Sequence, residues 1–366
     1  MRTVFKTSYD ADINLFRHPA QAGWYLVLLL LSLALPFLLG TFWLGEMTNL
    51  LIWAIAGMGL MVLVGQTGQA SLGHAAFLAI GCYANVLLQE DLGLPFLIAF
   101  PAAGLIAGVA GAIIALPMTK LHGIYLGIGT LAISILVDDL IVVAEPLTNG
   151  VVGLMAPNID LFGLSINRYA NPAPFYWLVL VVTVLVVLVY RNLQRSPLGR
   201  SFSAVRDSEV SARAMGVNIA RTKAISFGIS SAITGLAGAL MGHFAGVFNN
   251  ETFNLIISIQ LLLMIVIGGV GSIHGAFFGA AVIALLPQAI AIGRDFVGNL
   301  FGGGSVAIPG LESAIFGGLL IVFILFEPMG IYGRWVKIRT YFELFPFARR
   351  DMFRRQRSYL KTERMR

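Results

Sequence analysis

WLVLVVTVLVVLVY, residues 177–190, and the polar run that follows, SPLGRSFSAVRDSEVSARAMGVNIARTK at 196–223, decide the fold. The first stretch carries no charge and suits a membrane core, which one helix crosses with about 20 apolar residues. After the polar run, the chain returns to small and apolar residues at 224–246. A polar segment held between two membrane crossings must lie in water, so we expect it to contact a partner there.

The composition extends this interpretation to the whole chain. Of the 366 residues, 58% are hydrophobic and 11% are charged, whereas about one quarter of the residues in a soluble domain are charged. We therefore predict an all-α polytopic membrane protein with one helical domain. The net charge of +6 is not gathered on a water-soluble module, so we expect no nucleic-acid binding.

Several kinds of chemistry are not expected from this sequence. Cys82 is the only cysteine, so neither an intrachain disulfide nor a Cys-x-x-Cys metal site can form. The five histidines are scattered, and we expect no metal site. The chain has no Gly-Lys dipeptide and hence no phosphate-binding loop, so any ATP must be hydrolysed by another subunit.

Ten apolar segments are close to the length that a helix needs to cross the hydrocarbon. They lie at residues 24–40, 47–64, 74–89, 95–119, 122–145, 174–190, 224–246, 254–270, 275–293 and 311–327. We predict a transmembrane domain over 24–328, a cytoplasmic segment over 1–23 and a basic cytoplasmic tail over 329–366. The segment 74–89 is short enough to be a broken or re-entrant helix instead.

The positions of the basic residues predict the orientation, because cytoplasmic loops collect Lys and Arg. With ten crossings and the N-terminus inside, only Arg168 and Arg294 of the 24 lysines and arginines fall on exported loops. Both termini and the central loop 191–223 are therefore predicted to be cytoplasmic. The basic tail suits an anionic membrane surface, or it is an anchor with no further role.

Two glycine-rich breaks resemble each other. GQTGQASLGH covers residues 65–74 and GGVGSIH covers 268–274, and similar openings, HAAF and HGAF, follow at the two histidines. Transporters with two related halves often contain interrupted helices of this kind. The span count places both breaks on the same side of the membrane, whereas inverted symmetry would require one of them to be re-entrant.

Six polar or ionisable residues are candidates for a translocation path. They are Gln66, Gln69, Ser71, His74, Asp138 and Asp139. The first four belong to the first glycine break and line a path or form a cytoplasmic turn. The two aspartates lie within a predicted span, where ionisable groups are costly and usually functional. The alternative is that this pair reaches water near the exported end of its helix.

The central polar run has the signals of a helix. Ser196 before Pro197 is a typical helix start, and Gly216 is a typical left-handed stop. We predict one short amphipathic helix over 197–215, lying in the cytoplasm. It is either a contact surface for a partner or a surface helix against lipid headgroups.

The chain resembles the LivM-type permeases, the transmembrane subunits of high-affinity branched-chain amino acid ABC importers. The resemblance covers about residues 24–328 and rests on three blocks. The first block is GQTGQASLGHAAFLAIGCYA at 65–84. The second is KLHGIYLGIGTLAI at 120–133, which leads to LTNGVVGL at 147–154. The third is SPLGRSFSAVRDSEVSARAMGVNIARTKAISF at 196–227, which continues to GLAGAL at 235–240 and IGGVGSIHGAFFGA at 267–280. The resemblance implies an ABC importer permease fold.

The resemblance also implies that the central run docks on an ATPase subunit and passes its motion to the membrane helices. The residues that inherit this coupling role are Gly199, Arg200, Ala204, Arg206, Asp207, Ala212 and Gly216. The implied partners are a homologous second permease, two cytoplasmic ATP-binding subunits, a periplasmic substrate-binding protein and membrane lipid. ATP and Mg²⁺ would be used by the ATPases, and this chain would bind no cofactor.

These inferences predict a transport subunit, not an enzyme, in the bacterial inner membrane, which imports branched-chain amino acids by ATP-driven alternating access. Many relatives carry a single Glu where this chain has Asp138 and Asp139, and this leaves the substrate open. An importer of the same type for urea, amides or aromatic acids is the nearest alternative. An ion-coupled carrier and a metal-holding membrane enzyme, each using the two aspartates, are alternatives from other classes.

Overall fold

The computed structural model describes residues 19–300 except 120, 122 and 162, together with 310, 314, 315, 317, 318, 321, 325 and 329–344. Most of the predicted N-terminal segment, most of the predicted crossing 311–327 and the tail beyond residue 344 lie outside the described residues.

The described part of the chain is almost entirely helical, as predicted. Its helices are α1 (Pro19–Leu38), α2 (Thr41–Met61, continued by a π turn Val62–Gln66), α3 (His74–Glu90), α4 (Phe96–Met118), α5 (Ile124–Val143), α6 (Glu145–Thr148), α7 (Pro172–Arg195), α8 (Pro197–Asp207), α9 (Glu209–Ala214), α10 (Ile219–Ala245), α11 (Leu255–Gly268), α12 (Ile273–Leu300) and α13 (Gly330–Leu344). A short 3₁₀ helix, Asn250–Phe253, precedes α11.

Seven of these helices are long and apolar enough to cross a membrane, namely α2, α4, α5, α7, α10, α11 with its preceding 3₁₀ helix, and α12. Two further predicted spans are also helices: 24–40 falls in α1 and 74–89 in α3. α3 has only 17 residues, about 25 Å at 1.5 Å per residue, which is shorter than a hydrocarbon core of about 30 Å. The count of ten crossings stays a prediction.

α10 is the centre of the helix packing and contacts α2, α3 and α4. Small residues bring α4 and α10 together, because a Cβ added at Gly108 would lie 3.1 Å from the Gly228 carbonyl oxygen, and one added at Gly228 would lie 3.1 Å from that of Gly108. Helices in lipid approach closely in this way, since the hydrophobic effect does not drive them together. The largest buried core includes Ile55, Phe202 and Leu240 and joins these helices.

Short strands close the end of the helices that lies away from α8 and α9, which we call the distal end. β1 (Leu154–Met155) pairs antiparallel with β4 (Val247–Phe248), and β2 (Ile159–Leu161) pairs with β3 (Leu164–Ile166). The loop between α5 and α7 is thereby attached to the end of α10.

Arg168 reinforces this attachment at the distal end. Its guanidinium lies 3.6 Å from the centre of the Phe244 ring, and its Nη1 donates to the Phe244 carbonyl at 3.0 Å. The carbonyl belongs to the last turn of α10, where a cation interacts favourably with the helix dipole. Arg168 therefore stabilises the distal end, and a cavity of about 180 Å³ lies beside it.

Candidate functional site at the glycine breaks

The first glycine break lies between α2 and α3. Here the chain leaves the π turn of α2 and runs without helical structure until His74. Its polar residues Gln66, Thr67, Gln69 and Ser71 are at most 6% exposed. Gly68 and Ala70 between them are exposed, so the break is irregular backbone whose polar side chains are buried within protein.

Gln69 and Thr67 fasten the break to α10. The Gln69 Nε2 donates to the Ser226 Oγ and to the Thr67 Oγ1, both at 3.0 Å. The Thr67 hydroxyl donates to the Leu63 carbonyl at 2.6 Å, and the Ser226 hydroxyl donates to the Lys223 carbonyl at 2.8 Å. A buried polar group left without a partner costs about 1–3 kcal/mol, and these contacts remove that penalty.

His74 connects three helices through both of its ring nitrogens. Its Nδ1 lies 2.8 Å from the Ser71 Oγ, and its Nε2 lies 2.8 Å from the Ser230 Oγ of α10. The Ser230 hydroxyl donates to the Gly59 carbonyl of α2 at 2.6 Å, so its oxygen accepts from His74 and Nε2 carries the hydrogen. The Ser71 hydroxyl then donates to Nδ1. This arrangement makes His74 a neutral hydrogen-bonding link.

The start of α3 is held by other helices instead of a local cap. The Leu72 N–H donates to the Thr130 Oγ1 of α5 at 2.9 Å, and the Ala75 N–H donates to the Ser258 Oγ of α11 at 2.9 Å. The first N–H groups of a helix have no partner within it. Here the partners come from α5 and α11, so the break joins helices that are far apart in sequence.

The central polar run forms two helices. The predicted single helix over 197–215 is wrong, because Ser208 is extended, with φ −164° and ψ 114°, and separates α8 from α9. Its side-chain oxygen accepts from the Ser211 N–H at 3.2 Å and caps α9. Serine competes with helix hydrogen bonds through such local contacts and favours a cap over a helix interior.

The predicted helix start and stop are confirmed. The Ser196 Oγ accepts from the Gly199 N–H at 3.1 Å, and Pro197 is the first residue of α8. Gly216 has a φ of +86° directly after α9, which is the left-handed conformation that glycine adopts without strain.

Arg206 joins α8 to the first glycine break. Its Nη1 donates to the Gly65 carbonyl at 3.1 Å, and its Nε and Nη2 donate to the Asp207 Oδ1, both at 3.1 Å. Gly68, with a φ of +70°, packs against the same side chain, since a Cβ there would lie 3.0 Å from the Arg206 Cγ. The water-exposed segment thus touches the point where α2 is interrupted.

The second glycine break meets the first at the same place. A Cβ added to Gly65 would lie 2.9 Å from the Gly271 nitrogen, and this nitrogen lies 2.9 Å from the Met61 Sδ. Gly271 itself has a φ of +88°. Both breaks therefore lie at the end of the helices that carries α8, as the span count predicted. We call the two breaks, α8 and α9 together the junction.

Comparison with known proteins identifies the family of this chain. Residues 42–324 match the family described as branched-chain amino acid transport system, permease component. The chain belongs to this permease family. The high-affinity branched-chain amino acid transport system permease protein LivM of Escherichia coli (strain K12) is 31% identical over 332 residues, which is 85% of this chain and 75% of that protein.

A further relative and one solved structure are less similar to the permease. The probable branched-chain amino acid transport permease protein LivH of Methanocaldococcus jannaschii is 24% identical over 298 residues, 80% of this chain and 91% of that protein. PsaBC from Streptococcus pneumoniae, solved in complex with Fab, has a TM-score of 0.43 and 18% identity, and the match covers 82% of this chain and 96% of that one. The family is that of a transport subunit and not of an enzyme, and the chain is a multi-pass membrane protein.

The predicted coupling residues of the permease divide into two sets. Gly199 and Ala212 are buried, and Ala212 packs with Val205 and Ile219 in a small core against which Ala204 is partly buried. The second set contains the coupling residues that are exposed at the surface. It consists of Arg200, Arg206, Asp207 and Gly216. The buried set shapes the segment, and the exposed set is available to a partner.

The translocation candidates of the permease do not form one cluster. Gln69, Ser71 and His74 are bonded at the junction, as described above. The Gln66 side chain is buried and lies beside the Tyr190 hydroxyl of α7. Asp138 and Asp139 lie elsewhere, on α5, where Asp139 is exposed and the Asp138 Oδ1 is buried.

The sequence interpretation missed the serines of α10 that bind the break. Ser226 and Ser230 are four residues apart and share one face of the helix. This polar stripe in an apolar helix was a readable signal. The ion pair between Lys223 and Glu209 was also missed; its Nζ and Oε1 are 2.7 Å apart, and the Lys223 side chain is 3% exposed. No local pattern predicts it, because the two residues lie on different helices.

Proposed function

We propose that this permease imports branched-chain amino acids across the bacterial inner membrane, as one transmembrane subunit of an ABC importer driven by ATP. The hydrogen bond between Arg206 and the Gly65 carbonyl carries the proposal. It connects a water-exposed segment directly to the interruption of a membrane helix, so that a force applied to the segment reaches the helix. Family membership supplies the substrate class.

In this proposal, residues 24–328 are the permease domain and 191–223 is its coupling loop. Val210 and Met215 support a docking role for this loop, because they are 82% and 73% exposed. Exposed apolar side chains beside charged ones are typical of protein contact surfaces. Two ATP-binding subunits would dock at this end and use ATP and Mg²⁺, whereas the permease binds no cofactor.

The remaining partners follow from the two ends of the molecule. Similarity to both LivM and LivH relatives supports pairing with a second, homologous permease. A periplasmic binding protein would deliver the amino acid at the distal end, where the loop between α5 and α7 lies. Lipid would surround the exposed apolar residues of α1 and α5.

Uptake by reconstituted vesicles tests the function. Proteoliposomes holding the permease, its partner permease and the two ATPases are loaded with ATP and supplied with the binding protein and labelled L-leucine. We expect uptake that requires ATP hydrolysis and that unlabelled isoleucine and valine inhibit. Uptake driven by an ion gradient without any ATPase would overturn the proposal, and inhibition by urea, amides or aromatic acids alone would change the substrate.

Charge reversal tests the coupling segment. Arg206→Glu and Asp207→Arg should each weaken ATPase binding or lower leucine uptake per complex by at least about tenfold, the effect of losing a charge-assisted contact. Asp91→Arg, an exposed residue directly after α3 at the other end, is the control and should leave both quantities unchanged. If both coupling variants bind the ATPases and transport normally, the assignment is wrong.

A further inference from the structure

α3 and α5, two helices in contact, each carry a buried oxygen atom. The Tyr83 hydroxyl of α3 and the Asp138 Oδ1 of α5 are both buried, and neither has a hydrogen-bond partner among the described residues. Tyr83 is 5% exposed. α3 and α5 are in contact, so the two oxygens lie on neighbouring helices.

The surroundings of this pair supply acceptors and aromatic rings. The 3₁₀ helix Asn250–Phe253 packs against both α3 and α5 and brings a third buried oxygen without a partner, the Asn250 Oδ1, to their boundary. Phe248 packs edge-on against the Tyr83 ring, with centroids 5.1 Å apart. No lysine or arginine of the described residues forms an ion pair with Asp138.

Such a group of acceptors suits a cation with hydrogen atoms to donate. Asp138 is partly buried, and the burial of a carboxylate oxygen is disfavoured unless a positive charge or donors compensate it. An ammonium group supplies one positive charge and three donors, and its hydrogen bonds to a carboxylate are about twice as strong as neutral ones. Aromatic rings add attraction for a cation.

We propose that Asp138 and Tyr83 bind the ammonium group of the amino acid during its passage, an inference that rests on the proposed function. Asp139 takes no part, because its side chain is exposed and lies about 100° from Asp138 around α5. The site lies next to β4, which carries Phe248. It is therefore closer to the distal end than the junction is. An amino acid arriving from that end meets it before the glycine breaks.

The test measures leucine imported per ATP hydrolysed in proteoliposomes that hold the complete transporter and its binding protein. Asp138→Asn keeps the size of the side chain and removes its charge, and we expect the ratio to fall at least about tenfold, as for loss of a hydrogen bond to a charged group. Asp139→Asn is the matched control and should keep the wild-type ratio. A purely structural role would lower import and ATP hydrolysis together and leave the ratio unchanged.

Each outcome is decisive for the site. A wild-type ratio in an assembled Asp138→Asn transporter overturns the proposal, as does an equal fall in both variants. If Asp138→Asn does not assemble, Tyr83→Phe replaces it; a fall in the ratio of about threefold supports the site, and a wild-type ratio overturns it. Absence of leucine import by the wild-type transporter would instead contradict the proposed function.

Discussion

Helix α3 carries two buried polar clusters that differ in one respect. At its start, His74 is bonded through both ring nitrogens to Ser71 and Ser230. Nine residues later, about 13 Å along the helix, lies Tyr83, and α5 next to it carries Asp138. Neither the Tyr83 hydroxyl nor the Asp138 Oδ1 has a hydrogen-bond partner among the described residues. His74 is 1% exposed and Tyr83 is 5% exposed, so burial alone does not separate these two residues of α3.

The difference distinguishes polar groups that stabilise the fold from polar groups that remain available to bind a ligand. Polar groups whose hydrogen bonds are all made contribute to stability, and a substitution that removes one group leaves its hydrogen-bond partner unpaired. Groups without partners lower stability, and their presence in a membrane helix needs a function. Stability measurements on single variants therefore separate the two roles.

The largest loss of stability is expected at the ion pair of the junction. Glu209→Gln leaves the ammonium group of Lys223 buried without its partner, and breaking a buried ion pair costs about 3–5 kcal/mol. The free energy of unfolding in mixed detergent micelles measures this. The double variant Glu209→Gln with Lys223→Met removes the isolated charge and should recover most of the loss; a double variant as unstable as the single one contradicts this account.

A smaller loss is expected when the paired cluster of α3 is opened. His74→Ala removes two hydrogen bonds and leaves a cavity among buried groups, so the free energy of unfolding should fall by about 2–4 kcal/mol. Unfolding in detergent is again the measurement. A change below about 1 kcal/mol would show that His74 does not link the helices as described.

A still smaller effect is expected for the contact between the break and α10. Gln69 and Ser226 are 157 residues apart in sequence and are joined by one hydrogen bond. A double-mutant cycle with Gln69→Leu and Ser226→Ala should give a coupling energy of about 1 kcal/mol. Additive effects of the two changes would mean that this bond contributes nothing to stability.

The smallest effect is expected at the unpaired cluster. Tyr83→Phe removes a buried hydroxyl without a hydrogen-bond partner, so the free energy of unfolding should stay within about 0.5 kcal/mol of wild type or rise by up to about 1 kcal/mol. The same unfolding assay checks this, with His74→Ala as the contrast within one helix. A loss above about 1.5 kcal/mol would reveal a structural partner for the hydroxyl.

Local signals in the sequence predicted much of the fold. Apolar length predicted the helices, the pair Ser196 and Pro197 predicted the start of α8, and the basic residues predicted that both glycine breaks lie at one end. The interruption at Ser208 was not predicted, since serine fits both a short helix and a cap and the choice depends on packing of Val205, Ala212 and Ile219.

The candidate site was predicted only in part, for a physical reason. The sequence pattern singled out the residues of the first break, but their hydrogen-bond partners lie on helices that approach only in the folded protein. No local pattern separates Asp138 from Asp139, because neighbours on a helix differ in direction by about 100° and only the packing of α5 shows which of the two is partly buried. The coupling and translocation roles stay predictions.

The strand pair at the distal end has a mechanical consequence. β1 and β4, together with the hydrogen bond from the Ala156 N–H to the Gly246 carbonyl at 2.7 Å, tie the loop after α5 to the end of α10. At the other end of α10 the helices meet mainly through side chains and glycine contacts. α10 has 27 residues, so a tilt of about 10° about this hinge would swing its far end by about 7 Å, with a lever about 40 Å long.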